Sequence, residues 1–261
     1  MRVFVTGATG FIGSAVVEDL IQAGHQVLGL ARSDEAAAAL ASLGAAVQRG
    51  SLVDLDSLVA GANACDGVIH TAFIHDFSSI AESGKDDVPM AGSVGSHRIP
   101  SELATLALAG RGVRASVVRL PPSVHGDGDY GFVPALIGIA RKQGSSAYIG
   151  DGLNRWPAVH RRDAARLFRL ALEKGVAGTA YHGAGEEGVA TREIAEVIGR
   201  RLNLPVVGLS GDQAAGHFGW LGHFFGTDCP ASSAQTRQQL GWRPAHPGLL
   251  EDLDREAYFA A

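Results

Sequence analysis

Thr6-Gly7-Ala8-Thr9-Gly10-Phe11-Ile12-Gly13 is the stretch on which the fold turns. Before it, Arg2–Thr6 (RVFVT) is a short β-branched run, the pattern of a buried strand. After it, Ile12, Ala15, Val16, Leu20 and Ile21 recur at helical spacing until Gly24 stops them, so a helix is expected over Gly10–Ala23. Three glycines between a strand and a helix have a mechanism: Gly7 permits a tight turn, Gly10 lets backbone approach a pyrophosphate, and Gly13 lets the helix pack closely on the strand. The helix N-terminus then offers unpaired N–H groups to an anion. A glycine-rich turn that holds no ligand is the plain alternative.

Outward from this unit the same order repeats. Gln26–Leu30 reads as a strand, Asp34–Leu43 as an alanine-rich helix, Ala46–Gln48 as a short strand, Leu55–Ala60 as a helix and Gly67–Ala72 as a fourth strand. Ser101–Ala109 reads as a helix and Ala115–Leu120 as a strand. Strands alternating with helices predict an α/β fold: a Rossmann-type, doubly wound, mostly parallel sheet. From about Pro121 the pattern becomes irregular, with helices at Val133–Gln143, Arg162–Glu173 and Thr191–Leu202. The expected organisation is a dinucleotide-binding domain over 1–120 and a smaller, interleaved substrate lobe over 121–261.

Composition excludes several classes. The 261 residues carry 22 Lys and Arg against 27 Asp and Glu, a net charge of −5, which argues against a polybasic nucleic-acid binder. An apolar content of 46% argues against a disordered acidic tail. No stretch without Asp, Glu, Lys or Arg is longer than Gln213–Thr227, which is shorter than the roughly 20 apolar residues of a membrane span. Two cysteines build no disulfide framework, no leader precedes the first strand, and a cytoplasmic protein without membrane or nucleic-acid partners is the expectation. No metal ligand set is assigned.

The end of the second strand selects the dinucleotide. An acidic residue there would hydrogen-bond the ribose 2′-OH and favour NAD. Ala31-Arg32-Ser33 has none, and Arg32 with Ser33 suits the 2′-phosphate of NADP, so NADP is expected over NAD. A solvated surface arginine is the alternative.

These residues resemble the extended and atypical short-chain dehydrogenase/reductase superfamily, in its NAD-dependent epimerase/dehydratase branch. TGATGFIG at 6–13 is similar to the family's glycine motif, and the resemblance places Thr9, Phe11 and Ile12 beside the three glycines at the cofactor. Ser51 and Leu52 stand where the family has an Asp-Leu pair near adenine, with Ser51 replacing the Asp. His70-Thr71-Ala72 resembles the segment after strand four that flanks the cofactor, although a histidine at a strand end is more often a hydrogen-bonded core residue than a catalyst. Arg119 to Gly126 resembles the segment whose backbone meets the nicotinamide carboxamide, which implicates Pro121 and Ser123. Ser123, His125, Tyr130 and Trp156 are candidate substrate-side residues, with packing as the rival role for Trp156. Asp163 is expected to cap the helix that follows it.

Two features depart from the resemblance. The family transfers its proton through Tyr-x-x-x-Lys, and no such pair exists in this chain. Alignment of Ser101–Ala109 with the family's active-site helix puts His97 at the tyrosine position and Ser101 at the lysine position, which makes them the catalytic candidates. The interval between strand four and Arg119 is also too short for the strand and helices the family places there. Either a layer is missing and strand four pairs directly with Ala115–Leu120, or a stretch between about Phe77 and Met90 is absent from the sequence. The reading is an NADP(H)-dependent oxidoreductase acting on a small carbonyl or alcohol, as a monomer or homodimer. A non-catalytic NADP-binding protein and a nucleotide-sugar epimerase or dehydratase are the alternatives.

Overall fold

The computed structural model describes residues 1–72 and 98–260, with every side chain among them but that of His223. Four parallel strands form the principal sheet: β1 (Arg2–Thr6), β2 (Gln26–Ala31), β3 (Ala46–Arg49) and β4 (Gly67–His70). Their order is β3-β2-β1-β4, so the chain winds from β1 through β2 to β3 and then crosses to the other side of β1. This is the α/β, Rossmann-type arrangement expected from the alternation of elements.

Both faces of this sheet are covered, and the side-chain period of 2 explains how. Val3 and Val5 of β1 and Val27 and Ala31 of β2 face α1 (Phe11–Gln22), together with Leu40 of α2 (Asp34–Ser42). Phe4, Leu28 and Leu30 face the other way, onto Leu58 and Ala62 of α3 (Leu55–Asn63). Two polar side chains start the helices: Ser33 Oγ accepts from Ala36 N (3.2 Å) and Asp54 Oδ1 from Ser57 N (3.2 Å).

The chain forms two compact units. The first holds Met1–Val118 and Ala165–Tyr181, thus also α4 (Ile99–Ala107) and most of α6 (Arg161–Lys174). Ala165, Phe168 and Leu172 of α6 join the core on the α1 face of the sheet. The second unit holds Arg119–Ala164 and His182–Ala261. Its three-stranded sheet runs β10 (Glu186–Ala190), β8 (Arg155–His160), β6 (Ser123–His125), beside the pair β11 (Val206–Leu209) and β7 (Ser146–Ile149). Helices α5 (Phe132–Gln143), α7 (Thr191–Leu202) and α11 (Leu249–Leu253) close its core.

Strands in the second half went unread in the sequence for a physical reason. Pro157 sits inside β8, the central strand, where a missing N–H normally argues against strand. The β10 ladder shifts register between Glu186 and Val189, opposite Trp156–Ala158, and that irregularity accommodates the proline.

The short interval after β4 has a counterpart here. β4 pairs with β1, while β5 (Ser116–Arg119) pairs with β9 (Thr179–His182). Among the described residues no ladder joins β4 to β5, so the direct pairing expected of a lost layer is not seen. The stretch from Phe77 to Met90 lies outside the described residues.

Glycine substitutions test this packing. A Cβ on Gly13 would lie 1.9 Å from Gly7 O, whereas one on Gly138 in α5 meets nothing within 4 Å. Gly13→Ala is expected to cost about 1–3 kcal/mol by overpacking. Gly138→Ala is expected to stabilise by about 0.5–1 kcal/mol, because alanine loses less backbone entropy in a helix. Urea midpoints for the two variants check the contrast.

Candidate functional site

The carboxyl ends of β1 and β4 lie side by side, with Thr6 in register with His70. Gly7 turns the chain at φ +69°, and a Cβ there would fall 2.6 Å from Ala72 N. Gly13 is as tightly constrained by Gly7 O, with Thr71 Oγ1 2.9 Å from the position of its Cβ. Gly10 differs: among the described residues a Cβ on it would meet only Gly7 O, at 3.2 Å. Gly10 is also the N-cap of α1 and makes no side-chain capping bond. A backbone-lined helix start fits a pyrophosphate, and Thr9, Phe11 and Ile12 sit in that turn and first helical turn.

At the ends of β2 and β3 a pocket of about 460 Å³ is lined by Ala31, Arg32, Ser33, Asp34, Arg49, Gly50, Ser51 and Asp54. Ser33 Oγ accepts from Ala36 N, and the Ser33 hydroxyl also bonds the Glu35 carboxylate. The bond from its own backbone N–H, and then the one from Ser33, hold the Glu35 pKa below its ordinary value. Arg49 donates from Nη1 to Ser33 O (2.6 Å) and from Nη2 to the Asp34 carboxylate. Asp34 on the pocket wall is therefore paired. Arg49 was overlooked as a functional residue, because its own strand gives no sign that its side chain crosses to the β2 corner. Leu52, expected beside adenine, packs against the Phe4, Leu28 and Leu30 cluster.

The end of β4 carries a polar constellation. Thr6 Oγ1 and His70 Nδ1 are 2.6 Å apart, and Thr71 Oγ1 donates to Thr6 O (2.9 Å). Burial, and then the Arg98 guanidinium, hold the His70 imidazole below its ordinary pKa. Arg98 begins α4, and burial lowers its own pKa. Only its place next to His97 could have signalled it in the sequence. His97 lies outside the described residues. Ser101 Oγ donates to Arg98 O (2.9 Å) within the first turn of α4.

The second unit holds the substrate-side candidates. Ser123 and His125 of β6 and Trp156 of β8 share one sheet face, since Ser123 pairs with Ala158 and His125 with His160. All three are buried, and Ser123 Oγ, His125 Nε2 and Trp156 Nε1 have no hydrogen-bond partner among the described residues. Trp156 stands among Phe132, Phe224 and Phe225, at ring distances of 4.8–5.6 Å. Tyr130, by contrast, is 72% exposed. Pro121 is half-buried between β5 and β6.

Beside that face runs a row of imidazoles. His125 Nδ1 donates to Asp252 (2.9 Å), and the His125 ring meets His160 edge-on at 5.4 Å. His160 stacks on His246 at 4.6 Å, and His246 Nδ1 donates to Asp163 (2.9 Å). Asp163 does not serve as a simple helix cap. Its carboxylate also accepts Ala245 N and His246 N (3.0 Å each), and Trp242 Nε1 donates to its backbone oxygen (2.9 Å). His160, Asp163 and His246 have ligand-type atoms within 4.8 Å of one another. Geometry disfavours a metal there. His160 Nδ1 accepts from Arg162 N (3.2 Å), and the Asp163 carboxylate already takes three hydrogen bonds. The cluster is a polar clip that holds the segment after Trp242.

Comparisons with known proteins agree with this geometry. The model of the NAD dependent epimerase/dehydratase family matches residues 3–90. An uncharacterized protein of Schizosaccharomyces pombe is 48% identical over 295 residues, covering 99% of this chain and 100% of the relative. That alignment is longer than the 261 residues of this chain, so the relative carries residues with no counterpart here. The sterol-4-alpha-carboxylate 3-dehydrogenase, decarboxylating, of Dictyostelium discoideum is 28% identical over 245 residues, 74% of each chain. Among solved structures, a nucleoside-diphosphate-sugar epimerase from Pseudomonas aeruginosa superposes with a TM-score of 0.75 at 18% identity, over 97% of this chain and 95% of that one.

The imidazole row makes stability depend on acid. Burial, with His125 and His246 close by, lowers the His160 pKa from 6.5 to about 4. Above pH 6.5 the ring is neutral folded or unfolded and contributes nothing. Between 6.5 and about 4 the unfolded chain binds a proton the folded chain refuses, so stability falls as pH falls. The melting temperature is expected to drop across this window, and His160→Gln should flatten that drop. Equal slopes for the two proteins would contradict it.

Proposed function

The chain belongs to the NAD-dependent epimerase/dehydratase family, and from that premise we propose that it is an NADP(H)-dependent oxidoreductase of a small carbonyl or alcohol. The observation that carries this reading is the pocket at the ends of β2 and β3, with Arg32 and Arg49 on its wall and Asp34 paired to Arg49. A 2′-phosphate entering there would meet the Arg32 guanidinium. Charge-assisted bonds of this kind contribute about 1.5–3 kcal/mol.

The rest of the chain's work follows from the ends of the strands. Gly7 and Gly10 present backbone to the pyrophosphate, and the α1 N-terminus adds its positive dipole end. Ser51 and Leu52 flank the adenine side, while His70, Thr71 and Ala72 flank the opposite half of the dinucleotide. The nicotinamide, when bound, supplies hydride transfer to or from the substrate carbon. On the substrate side Tyr130 offers an exposed ring, and Ser123, His125 and Trp156 offer buried polar atoms that a ligand group would satisfy. The name of the Dictyostelium relative, a dehydrogenase, favours hydride chemistry over epimerisation. The absence of Tyr-x-x-x-Lys supports a second reading, a dinucleotide-binding protein without turnover.

Titrating both dinucleotides into wild type and Arg32→Ala tests the cofactor. The variant is expected to bind NADP about 10–100-fold more weakly and NAD nearly as before. Equal losses for both would remove Arg32 from 2′-phosphate recognition. Oxidation of NADPH against a panel of carbonyls separates the enzyme from the turnover-free reading.

A further inference from the structure

We propose that His70 is the proton-transfer group of this site, accepting at Nε2 the hydroxyl proton of a bound alcohol and returning it in the reverse direction. The inference rests on the oxidoreductase reading and goes beyond it by assigning the role left without a tyrosine.

Position carries the argument first. In an open parallel sheet a ligand binds beyond the carboxyl ends of the strands, where the winding reverses. Here that reversal falls between β1 and β4, and His70 is the last residue of β4, in register with Thr6. The adenine side is occupied by the pocket at β2 and β3, and the pyrophosphate turn lies over β1. The reactive half of the dinucleotide must therefore run over the end of β4. His70 stands there on the solvent-reachable face of the strand, not in the core.

Local chemistry supplies the second part. Thr6 Oγ1, 2.6 Å from Nδ1, holds the ring. With Nδ1–H donating to that oxygen, Nε2 keeps a lone pair for a substrate hydroxyl, as orienting partners set the tautomer of other histidine bases. Burial and Arg98 favour the uncharged ring, the form a base needs at neutral pH, and among the described residues Arg98 is the charged group that bears on it. In oxidation the alcohol O–H bond breaks and its proton goes to Nε2. The carbinol C–H pair leaves as hydride to the oxidised nicotinamide, and a C=O bond forms. The imidazolium then releases its proton to water.

The test uses the full chain and two independent readouts. Nitrogen-15 spectra of histidine-labelled protein should show His70 as the Nδ1–H tautomer, titrating below pH 6.5, and Thr6→Val should shift both properties. In assays with NADP and secondary alcohols (2-butanol, cyclohexanol, 3-hydroxybutyrate), His70→Gln should lower kcat by about 10²–10⁴-fold. Its near-ultraviolet circular dichroism should match that of wild type, which reports folding. The wild-type rate of oxidation should rise with pH to a plateau, its midpoint matching the spectra. An Nε2–H tautomer overturns the assignment. So does turnover retained by His70→Gln, or loss of turnover in His97→Gln but not in His70→Gln. A wild type that binds NADP yet oxidises no alcohol and reduces no carbonyl overturns the oxidoreductase reading itself, and this inference with it.

Discussion

The closeness of the β1–α1 turn to the end of β4 is the constraint on which the rest of the molecule depends. Gly7 can turn only because it has no Cβ to strike Ala72, and α1 can start only because Gly13 lets it approach Gly7 O. That approach draws α1 onto Val3, Val5 and Val27, and so fixes which side chains of β1 and β2 face that helix. It also brings Thr6, His70 and Thr71 into one hydrogen-bonded group. A single steric condition thus sets the fold and places polar groups where a dinucleotide would pass. Glycine at these two positions therefore answers to packing inside the protein, whereas among the described residues Gly10 has only Gly7 O near its missing Cβ.

The second unit is held on different terms. Its core is aromatic around Trp156, but its edges are tied by buried carboxylates. Asp163 gathers Trp242, Ala245 and His246, while Asp252 takes His125 and Arg255. Burial alone would push the Asp252 carboxyl up, and the bonds from His125 and Arg255 outweigh it, so its pKa is lowered. Tyr258 accepts from Gly126 N (3.0 Å) and donates to Asp129 (3.2 Å), with Arg255 on Asp127 (3.0 Å). The segment before Tyr130 is thereby strapped down from the C-terminal end. Breaking one partner of a buried pair is costlier than the pair is favourable, because the other charge is left desolvated.

The first half of the fold was legible because its signals are local. Strand runs, helical spacing and stopping glycines place the strands and helices from β1 to β4 within a few residues, with His70 rather than Ala72 ending β4. The helix at Thr191–Leu202 was read to the residue, helped by its sharp amphipathic period. The strands of the second unit were not legible: they are three to six residues long, and β8 contains a proline. Among the candidate residues, Gly7, Arg32 and His70 could be singled out in sequence, since each stands at or just past a strand end. Arg49 and Arg98 could not, because their relevance comes from side chains reaching neighbouring strands. Asp163 looked like a cap and proved to be a tertiary clip, a difference that depends on Ala245 and His246, some 80 residues away.

The short interval after β4 links these threads. In the sheet as described, β4 is an edge strand, with Val68 46% exposed on the same face as His70. Helix α4 buries no residue, and β5 is at most half-buried, whereas β1 and β2 are buried almost throughout. The family match ends in the interval between β4 and β5, at residue 90. The S. pombe relative, with residues that have no counterpart here, points to the same difference in length. A strand inserted at that edge would pair with the free side of β4 and cover the exposed face of Val68. The β1–β4 ladder would not change, so Thr6 would still engage His70 at the winding reversal. Proton transfer by a group on β4 therefore does not require the residues this chain lacks, whereas proton transfer by a tyrosine would.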